Sequence, residues 1–93
     1  KLIVMASIKG FKKDVNTAIG TLIDTIYYLE LSNPKMDLKK SEALIDEALE
    51  VFDSLITEVH EAKREGSKAA FQALKTNYDK KMAGLEAKLK KLV

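Results

Sequence analysis

Apolar residues recur at steps of three and four from Ile8 to Leu92, and only two short stretches interrupt them: Ser32-Asn33-Pro34 and Arg64-Glu65-Gly66-Ser67. A period of about 3.6 residues puts such positions on one side of a helix, whereas a strand would change sides at every residue. Breaks this short leave no room for a crossover, so successive helices must fold back as antiparallel neighbours. The pattern predicts an all-α, antiparallel up-down-up three-helix bundle with short loops, one domain over residues 1–93. Its helices fall at about 7–31, 35–64 and 68–92, which gives a rod roughly 40 Å long.

In the first helix Ile8, Phe11, Val15, Ala18, Ile19, Ile26 and Leu29 lie within roughly 60° of Leu22 on a helical wheel. Ser7 reads as its N-cap, and Ser32-Asn33-Pro34 ends it because proline lacks the N–H and restricts the residue before it. Ile23 and Tyr27, beside Asn16 and Gly20, widen the apolar face on one flank. That width serves either a second neighbour inside the bundle or an interface with another molecule. The second helix starts either with Asn33 as cap and Pro34 in first position or with Asp37 as a later cap. Leu38, Ser41, Ile45, Ala48, Phe52, Leu55, Val59 and Ala62 form its seam, with Leu49 and Ile56 widening one side and Leu44 and Val51 near the other. Gly66 suits the left-handed position after its C-terminus. Ser67 then caps a third helix carrying Phe71, Leu74, Tyr78, Met82, Leu85, Leu89 and Leu92. Phe52 and Phe71, as core aromatics, would each lose about 3 to 5 kcal/mol on truncation to alanine.

A charged fraction of 32% beside an apolar fraction of 46% excludes disorder by composition. The net charge of +2 hides a separation. From Asp37 to Lys63 eight acids face three lysines, and from Arg64 onward eight basic residues face three acids. The functional reading of this asymmetry is an anion-binding surface for nucleic acid or an acidic membrane, centred on Lys80, Lys81, Lys88, Lys90 and Lys91. The structural reading, attraction between adjacent helices of opposite charge, accounts for it with fewer assumptions. A single arginine and no tryptophan also make a poor nucleic-acid reader, and neither nucleic acid nor membrane is the expected partner.

With no cysteine there is no disulfide, thiolate metal site or thiol nucleophile, which fits a reducing, cytoplasmic setting. Leu2-Ile3-Val4-Met5-Ala6 is too short for a signal-peptide core, and Met5 is a candidate start that would leave Lys1 to Val4 upstream. His60-Glu61-Ala62-Lys63-Arg64 begins like the helical zinc-protease motif but has Arg64 where the second histidine belongs. Thr57, three residues before His60, breaks the Glu-x-x-His spacing of a di-iron bundle. No glycine-rich phosphate loop or nucleophile with a partnered base is legible, so no catalytic residue, metal or cofactor is expected and the chain reads as a non-enzyme.

Three stretches carry a resemblance: Ile8-x-x-Phe11-Lys12-Lys13-Asp14-Val15-Asn16; Asn33-Pro34-Lys35-Met36-Asp37 with Ser41-Glu42 and Ile45-Asp46-Glu47-Ala48; and Phe52-Asp53-Ser54-Leu55-Ile56. Over its first two helices, and less clearly at Phe71-Gln72-Ala73-Leu74, the chain resembles a family of small uncharacterised all-helical bacterial proteins of Bacteroidetes type. The resemblance implies the helical fold and supplies no activity, substrate or cofactor. The function expected is a helical protein-protein interaction or self-associating module whose interface is formed by Asn16, Gly20, Ile23 and Tyr27.

Overall fold

A computed structural model of the chain describes the backbone from Leu2 to Leu92 and the side chains from Lys9 to Leu92; Ile8, expected at the head of the first stripe, lies outside the described side chains. Three helices follow one another, α1 (Leu2–Ser32), α2 (Leu38–Glu65) and α3 (Lys68–Leu92). They form the up-down-up bundle, a rod of 51 × 16 × 16 Å. It is longer than expected because α1 does not begin at Ser7. Nothing in Leu2-Ile3-Val4-Met5-Ala6 breaks a helix, and Ser7 sits inside the element rather than capping it.

The two connections are built by local hydrogen bonds. At the end of α1 the Asn33 N–H donates to the Leu29 carbonyl at 2.9 Å, and the Met36 N–H then closes a turn onto the Asn33 carbonyl at 2.9 Å. Pro34 takes the second position of that turn, where its fixed φ fits. This turn displaces the start of α2 from residue 35 to Leu38, so Asn33 does not cap. Asp37 does, its carboxylate accepting from the Lys39 N–H at 3.0 Å. At the other end Gly66 adopts φ 68°, and its N–H donates to the Ala62 carbonyl at 2.8 Å. The Ser67 hydroxyl then accepts from the Ala70 N–H at 3.0 Å and caps α3.

α2 packs closely on both neighbours, while α1 and α3 stand further apart. Its buried arc is centred on Ser41, Ala48, Leu55 and Ala62, which recur every seventh residue. Leu44 is buried with them, but Leu38 and Leu49, expected on or beside the seam, are 54% and 48% exposed. They lie roughly 80 to 100° from the centre of that arc, on its rim. From α1 the core receives Phe11, Val15, Ile19, Leu22 and Ile26, and from α3 Leu74 and Leu85. Phe52 and Phe71 only pack against this core from partly buried positions, so their truncation removes less buried surface than the sequence suggests.

Ser41 is the one buried polar residue among the described side chains. The single proton of its hydroxyl is shared between the Glu30 carboxylate of α1 and the Leu38 carbonyl. Among the described residues no buried side-chain nitrogen or oxygen lacks a partner, as a well-formed core requires.

Leu55→Ala or Leu85→Ala is expected to lower the unfolding free energy by about 2 to 5 kcal/mol in urea titrations, whereas Leu49→Ala should cost less than about 1 kcal/mol. Gly66→Ala should cost about 1 kcal/mol, because an L side chain resists the left-handed conformation held there.

Candidate functional site

The four residues of the expected interface share one flank of α1. Glu30, bonded to Ser41, marks the side of α1 that faces α2, and Ile23, two turns earlier, lies on the same line. Asn16, Gly20 and Tyr27 are rotated from it by a further ~20 to 60°, toward solvent. Accordingly Ile23 is partly buried against the core, Asn16 and Gly20 are exposed, and Tyr27 is 51% exposed. A Cβ added at Gly20 would meet nothing within 4 Å, so no protein atom covers that position.

The antiparallel pairing of Glu30 with Ser41 puts Ile23 level with Leu49 on α2. Leu49 and Ile56 lie on the side of α2 turned away from the residues that bind α3, and hence border the same α1/α2 seam. The sequence flagged Leu49 as widening the stripe but gave no reason to join it to Tyr27, since the two are brought together only by the register of two helices. Among the described residues, the large apolar side chains that stay exposed fall between Tyr27 and Leu49: Tyr27, Tyr28 (67%), Leu31 (85%), Leu38 and Leu49.

The basic residues of α3 are divided by the fold. The Lys81 ammonium donates to the Ser54 hydroxyl at 2.7 Å and lies 3.4 Å from the Glu58 carboxylate, which also accepts from the Asn77 amide. Lys88 pairs with Glu47 of α2. These contacts hold the α2/α3 register, each adding on the order of 1 kcal/mol or less after solvent screening. Lys80, Lys90 and Lys91 remain exposed. Of the five lysines, two are thus engaged by α2, and Lys88 borders the same groove as Lys91.

Among the described residues, shallow grooves of about 350, 370 and 310 Å³ run along helix junctions. The first two lie between α2 and α3, and their polar walls include the same lysines and carboxylates that tie those helices together. The third opens between α1 and α3, where Ala18, Thr21 and Thr25 are too short to close the gap to Met82 and Leu89. Among the described residues no group of three or more His, Asp or Glu side chains is placed to hold a metal ion, and His60 is exposed. No described helix is long and apolar enough to cross a membrane.

The Tyr78 phenol of α3 is partly buried against α1. Its ring packs edge-on against Phe11, with centroids 5.2 Å apart. Burial, and then the negative charges of Asp14, Asp79 and Glu86, hold the phenol above its ordinary pKa. Comparison of the chain with family models, with curated proteins and with solved structures found no match. The surface itself must carry the functional reading.

Because the folded state keeps the Tyr78 proton to higher pH than the unfolded state, this stabilisation is complete below the ordinary tyrosine pKa and is lost as pH rises through the raised one. Alkaline titration of the melting temperature should show a decline beginning near pH ~10, and Tyr78→Phe should make that decline shallower.

Proposed function

We propose that this protein is a non-enzymatic interaction module that binds another protein chain, or a second copy of itself, through the α1/α2 seam. The observation that carries the reading is the half-exposed apolar pair Tyr27 and Leu49, flanking Ile23 and open space at Gly20. Tyrosine and leucine left half in water gain on burial against a partner, roughly 1.5 to 3 kcal/mol for each side chain fully covered. Gly20 removes a side chain where a partner backbone would approach. Anion binding through α3 is the weaker reading, because Lys81 and Lys88 are already engaged by α2. A cytoplasmic setting is the one we assign, from a small fold built without cysteine.

The test is solution mass by light scattering after size exclusion, over a series from low to high micromolar. The wild type should gain mass with concentration, or retain a partner on pull-down, and Tyr27→Ser with Leu49→Ser should abolish either behaviour while leaving the melting temperature within a few degrees. Association unchanged by that double substitution would sink the reading.

A further inference from the structure

The surroundings of the seam say what its occupant must carry. From Asp14 to the end of α1, and from Ser41 to Ala62 of α2, there are ten acids and no lysine or arginine. Glu47 and Glu58 are engaged by α3 and Glu30 by Ser41. Asp24, Glu42, Asp46, Glu50 and Asp53 are exposed on the outer sides of the two helices that border Tyr27 and Leu49. Two seams brought face to face would oppose these carboxylates, and like charges across an interface repel. A two-fold dimer through the seam is therefore disfavoured, and the occupant must be cationic.

Among the described residues α3 offers such a face, and unlike the exposed Lys9, Lys12 and Lys13 of α1 it also carries a run of alanines. On α3, Lys81 and Lys88 turn toward α2 and Glu86 borders the α1 groove. The remaining outer side presents Lys80, Ala83, Ala87 and Lys90 with one acid, Asp79, among them, and Ala73, Gly84 and Lys91 continue it toward the α2 groove, all of them exposed. Small side chains let a second helix approach to about 8 Å between axes. A Cβ added at Gly84 would meet nothing within 4 Å, so this side also is uncovered. In a three-helix rod the outer side of α3 lies opposite the seam between α1 and α2.

Resting on the seam reading above, we propose that the outer face of α3 of a second copy docks in the α1/α2 seam, head to tail. The lysines of the donor face then meet Asp46, Asp53 and their neighbours, while the alanine strip covers Tyr27 and Leu49. Such a contact joins two different surfaces, so each dimer keeps one donor and one acceptor open, and growth does not stop at two copies.

Sedimentation velocity at about 50 and about 300 mM salt tests this, since exposed charges are screened over that range. The wild type should gain mean mass past the dimer without a plateau, and the higher salt should weaken the association by roughly tenfold. Lys80→Gln with Lys91→Gln disables the donor, and Asp46→Lys with Asp53→Lys disables the acceptor. Both pairs are exposed, so circular dichroism should show the folded helices unchanged. Each variant alone should associate at least about tenfold more weakly, while an equimolar mixture retains one native junction and should form a dimer that does not grow. A wild type that stays monomeric at high micromolar concentration in low salt, or a plateau at a dimer that ignores both double substitutions, overturns head-to-tail docking. A synthetic amphipathic leucine-lysine helix separates the two levels. If it binds the wild type but not Tyr27→Ser/Leu49→Ser while the wild type remains monomeric, the seam reading stands and self-docking falls.

Discussion

Everything in this fold depends on α2 being buried on two sides at once. Its line of Ser41, Ala48, Leu55 and Ala62 faces the middle of the bundle, so one flank of the helix serves α1 and the other α3. The small residues on that line set how near the neighbours come, and the larger ones on the flanks decide what fills the space. Leu44 turns toward α3 and is covered, whereas Leu49 turns past α1 and is not. The exposed part of the seam is thus a geometric remainder of the way the middle helix is shared, and the same rotation that completes the core leaves that leucine in water.

Charge follows the same division. The carboxylates of α2 that face α3 find Lys81 and Lys88, and Ser54 and Asn77 join the Glu58 pair to fix the longitudinal register. Those on the outer side of α2 find no cation in their own helix from Ser41 to Ala62, nor in α1 beyond Asp14. An intramolecular explanation of the charge asymmetry thus covers Glu47 and Glu58 and stops there. Mutual repulsion along the outer stripe costs stability unless solvent or a cationic surface screens it. That unpaired charge would favour a cationic surface over an acidic one beside the seam.

The helices, their order and most of the core were legible because periodicity and capping are local properties: Gly66 and Ser67 do what their types and positions require. The start of α2 was not settled, since Asn33 and Asp37 are both competent caps and the choice belongs to the Asn33 to Met36 turn. Ser7 is a competent cap, yet α1 begins upstream of it, because nothing in Leu2 to Ala6 stops a helix. Of the candidate site, the α1 half could be read from the wheel. Its α2 half could not, because Leu49 comes level with Ile23 only through an interhelix register fixed by Glu30 and Ser41. For the five lysines the limit is similar: the wheel of α3 shows which of them share a side but not which carboxylates of α2 take them.

The placement of uncovered apolar surface on a small bundle bears on its stability as well as its use. A chain of this size hides only about 60 to 65% of its unfolded surface, so leaving Tyr27, Leu31, Leu38 and Leu49 in water forgoes stabilisation that the core cannot easily replace. Tyr28 and Leu31 point away from both other helices, on the outer side of α1, and have no neighbour to pack on. Tyr27 and Leu49 are different. They border the α1/α2 seam on either side of Ile23, which is already half covered, and a third surface laid over them would extend the core without rearranging it. A surface laid over the seam would add apolar burial to the fold, so binding there and stability should rise together.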